Sequence, residues 1–158
     1  MSKRIFKELY ESNISFSTVF LNVFKIIEML KKDDIILNKN YYKTRNNIWD
    51  DKKQSKFIES LILRMPISCF YFEENEKGNY IVIDGWQRLN TLHDFINTKE
   101  LYLNNLNYTN TMEFEGYFFE NLPVYIQRRI LEQNFTIYTI NRGVPQNTKN
   151  DIIERIQG

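Results

Sequence analysis

The fold turns on residues 79–95, NYIVIDGWQRLNTLHDF. Ile81, Val82 and Ile83 make a buried-type strand that runs straight into Asp84-Gly85. A helix opens there, from Gly85 to about Asn97, with Leu89, Leu92 and Phe95-Ile96 turned inward and Gln87, Arg88 and Thr91 on its early turns. Gly85 lets backbone come close to a ligand. The N–H groups of a first helical turn, with the helix dipole, form an anion site. Arg88 adds a planar fork suited to phosphate oxygens. Asp84 can hold a divalent cation or orient a water, and Gln87 can orient the same water or contact a nucleotide. The Asp84-to-Gln87 spacing equally fits a capping box, worth about 1 kcal/mol with no ligand at all.

Outward from this segment, strands and helices alternate. Toward the N-terminus, Ile67–Phe72 is strand-like and forms a hairpin with residues 79–83 across the polar connection 73–78. Before it, Asp50 caps a helix whose stripe is Phe57, Ile58, Leu61, Ile62 and Met65, ending at Pro66. Residues 35–45 read as extended. Val19, Phe20, Val23, Phe24, Ile27 and Leu30 follow a helical period, which predicts a helix capped by Ser17 or Thr18 and reaching Lys32. Toward the C-terminus, Leu101–Leu103 reads as a short strand inside a long connection over residues 98–122. Pro123 opens a helix to Glu132, Phe135–Ile140 is a strand, and Asn147 or Thr148 caps a last helix ending at Gly158. The class is α+β, a small mixed sheet surrounded by helices.

The 158 residues suit one domain. Aromatics make up 15%, alanine is absent, and 21 Lys+Arg balance 20 Asp+Glu, so any grip on DNA comes from a local patch rather than bulk charge. Cys69 and His93 are the only residues of their types, which excludes internal disulfides and Cys/His metal clusters. No stretch reaches the roughly 18 apolar residues of a membrane span, and the N-terminus lacks a signal-peptide core. The expected location is the cytoplasm.

Asp84-Gly85-Trp86-Gln87-Arg88, preceded by a strand and followed by a helix, resembles the D-G-x-Q-R signature of the GmrSD-type, modification-dependent restriction proteins, also called domain-of-unknown-function family 262. RNNIWDDKKQSKFIESLILRMPI looks like the family's arginine–tryptophan element with its helix and Pro turn, carried by Arg45, Trp49, Ile58-Glu59-Ser60 and Pro66. LPVYIQRRILEQNFTIYTI is similar to its later helix-plus-strand segment, so the resemblance covers about residues 17–157. It implies a ParB/sulfiredoxin-like fold, nucleoside-triphosphate binding and hydrolysis, and control of DNA cleavage in restriction and phage defence. It assigns catalytic and phosphate roles to Asp84, Gln87 and Arg88, with Asp84 a candidate Mg²⁺ ligand. Gly85, Thr91 and Arg45 become nucleotide contacts. Two departures stand out. The family's last helix runs into an R-I-N-T-G-G-type element, where this chain has Arg155-Ile156-Gln157-Gly158. The expectation is therefore one domain over residues 1–158 without the C-terminal HNH-type nuclease: a truncated relative, a domain fragment, or half of a split system whose nuclease is a separate subunit. Sulfiredoxins carry a cysteine where Trp86 stands, so sulfinic-acid reduction is not expected.

Other residues carry plainer readings beside the functional ones. Trp49 reads as a core or staple residue, His93 as a boundary histidine, and Lys52, Lys53, Lys56 and Arg128-Arg129 as solvated faces. Glu59 reads as a solvated or ion-paired side chain, with a metal role as the alternative. Asn141-Arg142-Gly143 reads as a turn, with an anion nest as the alternative. Three functional readings stay open: an NTP-hydrolysing module, a non-catalytic nucleotide- or DNA-binding regulator of a nuclease, and a degenerate relative.

Overall fold

The structure, a computed structural model, describes residues 14–37 and 48–158. Its five strands are β1 (Phe16–Asn22), β2 (Ile35–Ile36), β3 (Phe70–Glu74), β4 (Tyr80–Asp84) and β5 (Asn134–Ile140). They form one sheet in the order β1-β5-β3-β4-β2. The β1/β5 and β3/β4 pairs are antiparallel, and the β5/β3 and β4/β2 pairs are parallel. The five helices among the described residues are α1 (Val23–Lys31), α2 (Asp51–Ile62), α3 (Trp86–Leu92), α4 (Val124–Leu131) and α5 (Gln146–Gln157). This is the α+β architecture with a mixed sheet that the pattern predicts. No helix among the described residues is long and apolar enough to cross a membrane.

Strand alternation divides the sheet into two faces. Phe70, Phe72, Val82, Phe135 and Ile137 point into the main core, where they meet Ile26 and Ile27 of α1, Ile58 and Leu61 of α2, Leu89 and Leu92 of α3, and Ile130 of α4. On the opposite face Ile83 and Ile140 pack with Val144 and with Ile152 of α5 in a smaller cluster. The site segment crosses between these layers, because β4 contributes to both faces before it turns into α3.

The predicted first helix is corrected. Residues 16–22 form β1, and α1 starts only at Val23, with the Asn22 side chain accepting a hydrogen bond from the Lys25 N–H. The apolar positions Val19 and Phe20 fit the helical period by coincidence. Pairing with β5 over the whole length from Phe16↔Ile140 to Asn22↔Asn134 overrides it. The hairpin and the second helix form with shifted bounds: β3 is Phe70–Glu74 rather than 67–72, and α2, capped by Asp50 through the Lys53 N–H, ends at Ile62, so the chain turns at Arg64 with φ 54° and Met65 lies outside the helix.

Leu101–Leu103 is not a strand. Leu101, Leu103 and Leu106 are buried, and the stretch is loop with two 3₁₀ turns, Met112–Phe114 and Phe119–Asn121. The last helix begins at Gln146 behind Pro145 with no side-chain cap, rather than at Asn147 or Thr148. The third helix continues past α3 as a π-helical turn, His93–Asn97.

Candidate functional site

Gly85 is the pivot between β4 and α3. It takes φ 104°, a left-handed conformation that L side chains rarely adopt. Phe70 of β3 packs against it so closely that a Cβ at position 85 would lie 2.2 Å from the Phe70 Cδ1. The glycine thus admits a protein side chain, where its sequence position suggested close approach of a ligand. The Arg88 guanidinium lies over the same ring, 4.1 Å from its centroid, and its NH2 would lie 3.2 Å from a Cβ at position 85.

Arg88 is clamped. Its NH1 donates to the Ser68 carbonyl and, at 3.0 Å, to the Ser68 hydroxyl. Its NH2 donates to the Cys69 carbonyl at 3.1 Å and to Asp84 at 3.4 Å. Four of its five donors are thereby engaged. The side chain is 12% exposed. Burial lowers its pKa from the ordinary arginine value, while the neighbouring Asp84 and Cys69 act the other way.

Asp84 stands at the open end of β4 with its side chain 54% exposed. A register shift between Tyr71 and Phe72 puts Asp84 opposite Tyr71. Tyr71 in turn stacks on Tyr138, ring centroids 5.5 Å apart. The Tyr71 phenol is held above its ordinary pKa of 10.0, first by a hydrogen bond with the Cys69 side chain and then by burial. Asp84, Arg88, Cys69 and Tyr71 therefore form one polar corner at the end of the β3/β4 hairpin.

The capping box does not form. Gly85, not Asp84, is the N-cap of α3 and gives no side-chain cap. Gln87 instead turns toward the segment before α2, where its Oε1 accepts from the Trp49 N–H at 3.2 Å. The Trp49 ring packs on Phe57, with Lys53 Nζ 5.4 Å above it. Thr91 is fully buried and its hydroxyl donates back to the Gln87 carbonyl at 2.8 Å. So the structure gathers Asp84, Gly85 and Arg88 at one corner, places Gln87 on the flank facing Trp49, and turns Thr91 into the helix. Arg45 lies outside the described residues.

Asp84 is the one carboxylate at the corner, and no group of three or more His, Cys, Asp or Glu side chains able to hold a metal exists among the described residues. A single carboxylate among the described residues is too small a donor set to hold an ion by itself. Ser68 and Phe70, which position Arg88, carry no signal in the sequence, since their role arises only from the pairing of β3 beside β4.

The remaining candidates take structural roles. Glu59, expected on a solvated face, is 1% exposed. Its Oε1 accepts from the Asn107 and Tyr108 N–H groups and the Thr111 hydroxyl, at 2.9, 3.0 and 2.5 Å. His93 is half-buried beside Asp94, 3.4 Å away. Asn141-Arg142-Gly143 is a turn in which Arg142 reaches the Glu76 carbonyl and Glu74.

Over residues 26–157 the chain matches the family described as GmrSD restriction endonuclease, N-terminal domain. No curated protein and no solved structure matches it.

Proposed function

The chain belongs to the GmrSD restriction endonuclease N-terminal domain family, and from that premise we propose that the Asp84–Arg88 corner binds a nucleoside triphosphate and hydrolyses it to control DNA cleavage by a nuclease. The observation that carries this reading is an exposed carboxylate and a clamped guanidinium held 3.4 Å apart at the mouth of a left-handed glycine turn. Arg88 keeps its charge in place through the residue 68–69 backbone, so a phosphate meets a cation that needs no reorganisation. Asp84 orients the attacking water, or shares the Mg²⁺ that the nucleotide brings. Gln87, tied to the Trp49 backbone, makes the approach of substrate felt by the segment leading into α2. Residues 45–47 belong to that same stretch of sequence.

The test is phosphate release from ATP, GTP and CTP with Mg²⁺, with and without DNA. Asp84→Asn is the decisive variant, because its side chain is exposed and its contact to Arg88 is long. The expected outcome is a loss of at least about 100-fold in turnover with little change in Tm. Turnover equal to wild type in Asp84→Asn, or none in wild type with any of the three nucleotides, overturns the catalytic reading. One observation favours a second reading, a nucleotide-binding regulator that does not turn over: the protein itself uses four of the five Arg88 donors. Calorimetric titration showing binding without phosphate release selects it.

A further inference from the structure

β1 lies at one end of the strand order. Among the described residues β1 is bonded only to β5. The Asn141 N–H donates to the Ser15 carbonyl at 2.9 Å, and the Val23 N–H donates to the Gln133 carbonyl at 3.0 Å. Both contacts lie on the same unbroken antiparallel register. Alternation along such a ladder turns the backbone groups of residues 15, 17, 19, 21 and 23 toward β5. The N–H and C=O groups of Phe16, Thr18 and Phe20 therefore point out of the sheet edge.

Natural edges are normally blunted by lysine, proline, a bulge or a short strand. β1 has none of these: it is seven residues, FSTVFLN, with no charge, no proline and no shift in register. Its outward-bonding residues are also its exposed apolar ones, with Phe20 71% and Phe16 44% exposed.

We propose that β1 pairs antiparallel with β1 of a second copy of this chain, across a twofold axis at Thr18. The sequence is self-complementary in that register. Thr18 faces Thr18 of the other copy, and Phe16 faces its Phe20, twice over by symmetry. Every outward N–H and C=O of Phe16, Thr18 and Phe20 meets one of the same parity. Aromatic cross-strand pairs and a threonine pair are favourable neighbours on one sheet face. The product is a single continuous sheet of ten strands, two copies of the five. A polar, charged or irregular partner strand leaves Phe16 and Phe20 unmatched, which is why a second copy is the occupant.

Sedimentation equilibrium over micromolar concentrations tests it. The full chain is expected at twice 19.2 kDa. Phe20→Lys puts opposed charges' absence to use: two lysines enter the seam beside two phenylalanines, and the dimer is expected to weaken at least 100-fold while circular dichroism and Tm hold. Thr18→Pro removes an outward donor without touching the β5 ladder and is expected to give a folded monomer. Thr18→Cys is expected to crosslink under oxidation, since bonded antiparallel neighbours sit about 5.5 Å apart, within disulfide reach. The wild type, whose one thiol is Cys69, is the control. A monomeric wild type, or a dimer that Phe20→Lys leaves intact, overturns the proposal. Phe20→Lys decides the matter if Thr18→Pro does not fold, because so exposed a side chain is not needed for folding.

Discussion

Gly85 shows how one residue without a side chain holds the candidate site together. Its φ of 104° and the Phe70 ring beside it leave no room for a Cβ. Gly85→Ala therefore combines backbone strain with a clash, and is expected to cost at least about 2 kcal/mol. Thermal unfolding reads this as a fall of about 4–8 °C in Tm. Adding Phe70→Leu is expected to return part of the loss, because it removes the clash and leaves the strain. Full recovery in the double variant would show that φ carries no penalty there. Tyr71 makes a second prediction, about alkaline pH. Its phenol titrates above 10.0 in the folded chain. As pH rises through 10 the unfolded chain releases this proton first and so binds fewer protons than the native state. Stability therefore falls over that interval and levels off above the folded pKa. Tyr71→Phe is expected to give a shallower alkaline decline in denaturant titrations, with the slope near neutral pH unchanged.

At the scale of elements, α2 does more than bury its stripe. Ser55 and Glu59, one turn apart, hold the long connection that follows the third helix. The Ser55 hydroxyl accepts from the Asn104 N–H at 3.1 Å. Glu59 takes three donors from residues 107–111. Among the described residues no cation sits against it, so backbone and hydroxyl dipoles alone balance its charge. Glu59→Ala leaves those donors buried and unmet, with an expected cost of roughly 3 kcal/mol. Hydrogen exchange should localise the damage to amides 104–111. Thr111→Val, which deletes one donor, is expected to cost about 1 kcal/mol. Equal protection of those amides in wild type and Glu59→Ala would mean that packing, not Glu59, orders the loop. The same contacts explain why residues 98–122 are illegible in the sequence. Their partners lie some 50 positions away, and no local period marks them. The D-G-x-Q-R turn and the hairpin before it are legible because their signals are local: a β-branched run, a glycine, then a helical stripe. β1 fails for the opposite reason. Its apolar spacing continues that of α1, and only pairing with β5, 112 to 124 positions away, distinguishes strand from helix.

For the whole molecule, the question is how the second face of the sheet is closed. The main core contains no residue of α5. What α5 adds is a small apolar cluster and one ion pair, Lys149 Nζ to Glu73 Oε1 at 2.7 Å. Both side chains are largely out of water, 9% and 17% exposed. Near its end, the Gln157 amide reaches the Ile83 carbonyl at 3.4 Å, one residue from Asp84. The seating of α5 thus bears on the site through β4. A buried pair of this kind gains little over a well-packed apolar pair, but losing one partner strands the other charge. Lys149→Met alone is expected to cost about 3 kcal/mol. Glu73→Leu with Lys149→Met is expected to return to within about 1 kcal/mol of wild type, or to exceed it. A double variant as unstable as the single one would mean that the pair supplies net attraction rather than specificity. If α5 is a separately seated layer, the single variant should also expose amides of 146–157 to exchange before those of β5. Simultaneous loss in both would instead make the two faces of the sheet one cooperative unit.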